Sequence, residues 1–116
     1  MGHVPARQGI PLPGFKQLLG LLEAGRTWVK LSGPNRISSR GKAPFEDVDA
    51  FVTKLVSTRE DRCLFGTDWP HVQLPGPIPN DGDLVDEFFR QVPDATTRRR
   101  ILSDNPAKLY GFDDQR

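Results

Sequence analysis

Arg62-Cys63-Leu64-Phe65-Gly66-Thr67-Asp68-Trp69-Pro70-His71 is the stretch from which the rest of the chain can be placed. Cys63 to Phe65 are apolar and suit a short buried strand. Gly66-Thr67-Asp68 then turns polar, and Trp69-Pro70 must end the ladder, because Pro70 has no N–H and restricts the residue before it. That places Asp68 at the carboxyl end of a strand, the side on which sheets built from βα units gather ligands and chemistry. Asp68, with His71 three residues on, is therefore a candidate functional carboxylate. The competing reading is an aspartate that only caps a turn before a Pro-containing loop.

Upstream of this stretch, Phe45 to Thr58 carries Val48, Phe51, Val52, Leu55 and Val56 on one helical face, with Glu46 and Asp47 at the end where the helix dipole favours acids. Before it, Trp28-Val29-Lys30-Leu31-Ser32 is short, β-prone and bounded by Gly33-Pro34, which predicts a second strand. The intervening segment from Gly33 to Pro44 reads as a long loop bearing Arg36, Ser38, Ser39, Arg40 and Lys42. Phe15, Leu18, Leu19, Leu21 and Leu22 predict a helix from about Gly14 to Ala24, stopped at Gly25. Residues 1–13, with Pro5, Gly9, Pro11 and Pro13, read as an extended loop or a frayed start.

Downstream, Pro75, Pro77 and Pro79 make Val72 to Gly82 a stiff irregular loop lying over whatever binds at the strand ends. A helix is predicted from Asp83 or the residue before it through Leu84, Val85, Phe88 and Phe89 to Val92-Pro93. Asp94 caps a further helix through Ile101 and Leu102, and Asn105-Pro106 starts a last turn. The tail from Asp113 to Arg116 is expected to be loose. Helix, strand, helix, strand and then helices is the alternation that yields parallel strands joined by crossovers. The fold class is α/β, and two or three parallel strands form only part of a sheet, since a (β/α)₈ barrel takes about 250 residues.

Composition narrows the functions. Sixteen basic against 15 acidic residues give a formal charge of +1, so no electrostatic argument points to nucleic acid or an anionic membrane. The run Arg98-Arg99-Arg100 reads as a solvated helix face. The single cysteine, Cys63, lies in the apolar strand, where an inert thiol in a reducing compartment is expected. No apolar run approaches the roughly 18 residues of a membrane span, and the start has no signal-peptide pattern, so a cytoplasmic location is expected.

Three stretches carry a resemblance. Trp28-Val29-Lys30-Leu31-Ser32-Gly33-Pro34-Asn35-Arg36, Leu64-Phe65-Gly66-Thr67-Asp68-Trp69-Pro70-His71 and Asp104-Asn105-Pro106-Ala107-Lys108-Leu109-Tyr110-Gly111-Phe112 resemble, in order and spacing, signatures of the amidohydrolase-related family of TIM barrels. Within it they are most like the branch of 2-pyrone-4,6-dicarboxylate lactonases. The resemblance implies that Asp68 is the aspartate closing the last barrel strand, a general base or water-orienting group. It implies that Arg36 holds a substrate carboxylate. The chemistry suits both roles, since a hydrolytic water needs a proton acceptor and a guanidinium offers a carboxylate two parallel hydrogen bonds. Without the family, Arg36 reads as a solvated loop charge. Ser32 binds substrate or caps the loop; His71 donates a hydrogen bond, shapes the site, or packs as a turn histidine beside Trp69, itself read as a packing residue.

Family members also carry a His-x-His pair on their first strand and a histidine just before a Met-Gly pair. Here Met1-Gly2 are the first residues, His3 follows that pair rather than preceding it, and no His-x-His occurs. The chain is thus expected to correspond to the carboxyl-terminal half of such a barrel, whether as a gene fragment, an internal start or one part of a split protein. The resemblance implies a lactone hydrolase acting on a small carboxylated compound, with no metal or other cofactor bound by this part. Two alternatives are a metal-dependent decarboxylase of the same superfamily, whose relatives use zinc, and a structural piece that needs a complementary half or a copy of itself.

Overall fold

The computed structural model describes residues 1–112; Asp113 to Arg116, expected to form a loose tail, lie outside the described residues. Its centre is a two-stranded parallel sheet of β1 (Val29–Leu31) and β2 (Cys63–Phe65), in register Val29 to Cys63, Lys30 to Leu64 and Leu31 to Phe65. Each strand is three residues long because polar or turn residues follow at once, Ser32-Gly33-Pro34 in one case and Gly66-Thr67-Asp68 in the other. Among the described residues no further strand pairs with either outer edge.

The connection from β1 to β2 runs through α2 (Pro34–Ile37) and α3 (Asp49–Arg59), and α1 (Pro13–Glu23) precedes β1. On α1, Phe15 and Leu22 are fully buried, seven positions apart and so on one face. The helix stops where Gly25, at φ 80°, donates its N–H back to the Leu22 carbonyl at 3.0 Å. Phe15 meets Phe51 of α3 edge to face with centroids 4.8 Å apart, a geometry that adds about 0.5–1.5 kcal/mol to simple burial. Val48, Phe51, Val52 and Leu55 are buried as the helical spacing predicts.

Beyond β2, α4 (Asp81–Gln91) is capped by Asn80, whose Oδ1 accepts from the N–H groups of Gly82 (2.7 Å) and Asp83 (3.3 Å). That cap puts the helix start at Asp81, one residue upstream of the earlier of the two expected starts, Gly82 and Asp83. Phe88 of α4 stacks on Phe65 of β2 at 4.5 Å and so seals one face of the sheet. Asp94 caps α5 (Ala95–Arg99) through the Thr97 N–H at 2.8 Å, as predicted. A π-helical turn, Arg100–Asp104, then leads without a break into α6 (Asn105–Tyr110).

Three polar clusters, two of them built on a buried side chain, tie these pieces together. Asn105 donates from Nδ2 to the carbonyls of Glu60 (2.7 Å) and Cys63 (2.8 Å), fastening the last helix to the start of β2. Buried Glu87 accepts from the Phe45 N–H at 2.9 Å and from Arg90, which in turn bonds both oxygens of Asp49. Asp47 gathers the Ser38 hydroxyl and the Ser39 N–H, closing the segment between α2 and α3.

Several expectations change. Residues 1–13 are neither wholly extended nor frayed: a short 3₁₀ turn covers Ala6–Gln8, and Val4 and Ala6 are buried in the core. Arg36 sits on the helix α2 rather than in a plain loop, because Pro34 at the first helical turn pre-sets the backbone. The arginine run is not a uniformly solvated face. Arg98 bonds the Val92 and Pro93 carbonyls and stacks over Phe89, and Arg100 pairs with Glu60. Trp69 is not a packing residue but is 73% exposed on its turn.

Candidate active site

Asp68 lies three residues past the end of β2, in the left-handed region at φ 68°. Its carbonyl accepts the His71 N–H at 2.8 Å, closing a four-residue turn around the cis Trp69–Pro70 peptide. β1 ends one register step away, where Gly33 at φ 65° swings the chain into α2. A single turn of helix then brings Arg36 over the neighbouring strand end.

There Arg36 Nε donates to Asp68 Oδ2 at 2.5 Å, and Nη2 donates to the Val72 carbonyl at 2.8 Å. Among the described residues two of the five guanidinium hydrogens are used, which leaves Nη1 and part of Nη2 without a partner there. The Arg36 side chain is 19% exposed and that of Asp68 38%. Both groups are therefore partly desolvated, which strengthens their bond, yet reachable from outside. Ser32 joins them in a small cleft of about 60 Å³, together with Gly33, Ile37, Met1 and His3. That cleft shares Arg36, Ile37 and His3 with an adjoining space of about 230 Å³ that Arg7, Ser38 and Ser39 also line.

Of the four residues singled out in the sequence, the structure thus brings Asp68, Arg36 and Ser32 together. His71 points elsewhere. Its side chain is 1% exposed, its Nε2 lies 2.8 Å from Asp81 Oδ1 at the start of α4, and it does not line the cleft. Asp81 was missed in the sequence, although Asn80-Asp81 before an apolar period is a helix-start signal that marks it as fixed. His3 and Arg7 were missed as cleft residues because nothing local places the opening segment against α2.

Other spaces are chemically different. A space of about 850 Å³ lies by the amino-terminal end of β2, lined by α3, the end of α4 and the start of α5, away from Asp68. Its rim holds Asp61, whose carboxyl the bidentate Arg59 guanidinium pulls down to about 2. A space of about 520 Å³ between the loops at Arg40–Ala43 and Leu74–Asn80 is lined by Asn35 but by neither Arg36 nor Asp68. No three His, Cys, Asp or Glu side chains converge as a metal site among the described residues, and Asp68 and His71, already engaged by Arg36 and Asp81, do not supply one.

The chain is similar to characterised proteins over almost all of its length. It is 41% identical over 112 residues to a 4-sulfomuconolactone hydrolase of Hydrogenophaga intermedia, and 35% identical over 118 aligned positions to a 2-pyrone-4,6-dicarboxylate hydrolase of Comamonas testosteroni. Each alignment takes in 95% of this chain but only 37% and 39% of the relative. Among solved structures, a Pseudomonas putida protein designated a 2-pyrone-4,6-dicarboxylic acid hydrolase superposes with a TM-score of 0.79 at 32% identity, over 97% of this chain and 41% of that one. The chain therefore spans about two fifths of the length of these relatives. Its parallel strands and flanking helices are one sector of their (β/α)₈ barrel. An amidohydrolase family model matches residues 1–112, and with the strand-end cleft in the position where such barrels carry their chemistry, the chain belongs to the amidohydrolase family.

Proposed function

We propose that this chain supplies part of the active site of a hydrolase that opens a lactone or similar ring in a small carboxylated compound. Asp68 is the general base and Arg36 the carboxylate-binding group. The observation that carries this reading is the Arg36–Asp68 contact at 2.5 Å in a cleft beyond the parallel strand ends. The lactone-hydrolase names of the relatives support the substrate class.

In this reading a substrate carboxylate takes the free Nη hydrogens of Arg36, which sets the ring carbonyl beside Asp68. Asp68 accepts a proton from water as the water oxygen bonds to the carbonyl carbon. The tetrahedral adduct then collapses with rupture of the ring C–O bond, and the departing oxygen takes the proton back from Asp68, leaving an open-chain acid and the carboxylate restored. Ser32 is placed to donate to substrate oxygen. The rest of the barrel, contributed by other chain, by a complementary partner or by a second copy, would cover the open sheet edges and complete the pocket.

The test is hydrolysis of a carboxylated lactone by a complete barrel carrying these residues, followed by loss of ring absorbance. Asp68→Asn should lower kcat by about 10²–10⁴-fold, the range typical of a lost general base. Turnover that survives within a few-fold removes Asp68 from that role.

A further inference from the structure

Outside the cleft, one buried polar pair has no part in the chemistry described so far. His71 is 4% exposed and Asp81, the first residue of α4, holds its Nε2 at 2.8 Å. We propose that His71 and Asp81 are a positioning pair that fixes the reach of the Asp68 carboxylate, an inference that rests on Asp68 being the reactive group.

The connection is short and can be followed bond by bond. Asp68 occupies the left-handed region, uncommon for a non-glycine residue though best tolerated by Asn, Asp and His, and two contacts hold it there. One restraint comes from the Arg36 side chain. The other comes from the His71 N–H on the Asp68 carbonyl, and His71 is itself left-handed at φ 60°. The His71 ring is anchored in turn to Asp81, on a helix whose Leu84 and Phe88 are each 2% exposed. The turn carrying Asp68 is thereby fastened to the core, while the proline-containing segment between His71 and Asp81 is closed at its base.

Space filling alone does not explain a histidine here. A carboxylate only accepts, so Nε2 carries the hydrogen, and the ring's Nδ1 is buried with no partner among the described residues. A leucine would occupy the same volume without an orphaned ring nitrogen. What a leucine lacks is the bond to Asp81, and that bond is the only polar link from the catalytic turn to α4 among the described residues.

The experiment reads the rate at which the Arg36 Nε hydrogen exchanges with solvent, followed on its nitrogen-15-coupled side-chain signal in the full chain. That hydrogen is protected only while Asp68 holds its place. Asp68→Ala is the reference and should accelerate exchange about tenfold or more. His71→Leu and Asp81→Ala should each accelerate it about fivefold or more at a melting temperature within a few degrees of the parent. His71→Gln, which keeps a donor near the Nε2 position, should return it to within about twofold.

A merely structural role for the pair would lower the melting temperature and leave the exchange unchanged. If Asp68→Ala accelerates exchange and either His71→Leu or Asp81→Ala leaves it below that fivefold threshold, the positioning role is overturned and the cleft reading stands. If Asp68→Ala itself changes nothing, the Arg36–Asp68 cleft falls and the positioning role with it. Because the Asp81 side chain is 42% exposed, Asp81→Ala decides alone should His71→Leu fail to fold.

Discussion

Arg36 Nε and Asp68 Oδ2 stand 2.5 Å apart although 32 positions separate the two residues in the chain. One comes from the helical turn after β1 and the other from the loop after β2, so the parallel register of the two strands is what lets them meet. In the proposed reading, this charge pair across adjacent strand ends would link the binding of a carboxylate to the placement of the base. Arg36→Met, in a complete barrel, should raise KM for a carboxylated lactone by about 10–100-fold, as expected for loss of a bidentate charge-assisted contact. It should change KM for a neutral lactone little. Equal effects on the two substrates would remove the carboxylate-binding role.

Asn105 predicts a stability effect with no effect on chemistry. Its side chain is buried and satisfies two carbonyls, those of Glu60 and Cys63. Asn105→Ala takes the side-chain donor from both, although the Glu60 carbonyl keeps the Cys63 N–H, and should cost about 1–3 kcal/mol. Urea unfolding would show it as a lower midpoint at an unchanged slope.

Glu87 makes a similar case from a charged residue. Glu87→Ala orphans the Phe45 N–H and takes one of the two acid partners from Arg90, whose pKa those partners raise. Arg90 is 37% exposed and keeps Asp49, so the cost comes chiefly from the orphaned Phe45 N–H, about 1–3 kcal/mol, and Glu87→Gln, which keeps an acceptor for Phe45, should recover part of it. Thermal unfolding of the two variants side by side gives the comparison.

Cys63 should be chemically silent. Burial, and then the nearby Asp61 and Glu60 carboxylates, push its thiol up to about 12. At pH 8 only about one molecule in 10⁴ would then carry a thiolate, against a substantial fraction for an ordinary cysteine. Labelling by a disulfide reagent should accordingly be slower by about 10³-fold or more in the folded chain than in urea. Comparable rates would show that β2 opens readily.

Acid stability should contain a small Asp61 component. Its carboxyl is held at about 2 instead of the ordinary 3.8, chiefly by the hydrogen bonds from Arg59. The folded value lies below the unfolded one, so the stabilisation is complete above the unfolded value and is lost as pH falls from there through about 2. The Asp61 side chain is 44% exposed, which solvent screening reduces to under about 1 kcal/mol. Asp61→Asn should flatten the stability curve between those two values and leave it parallel above them.

Much of the architecture could be read before any coordinates. The helix stops and caps at Gly25 and Asp94 and the apolar period from Val48 to Leu55 act within a few residues of themselves, and each works as its chemistry requires, whereas β2 ends at Phe65, before Trp69-Pro70 is reached. Arg36 is harder, because α2 is a single turn started by Pro34 inside a segment otherwise rich in loop residues. Arg100 is tied down by Glu60, 40 positions away in the chain, which no local pattern shows.

From the sequence alone come the α/β alternation, the three motifs that mark the amidohydrolase family, and the candidacy of Asp68, Arg36, Ser32 and His71. These are local matters of period, capping and residue chemistry. Tertiary structure alone decides that Asp68, Arg36 and Ser32 share a cleft while His71 turns inward to Asp81, and that Asn105 serves β2 rather than the cleft. Side chains from separate elements meet only where strand register and helix packing bring them, and no spacing along the chain encodes those distances.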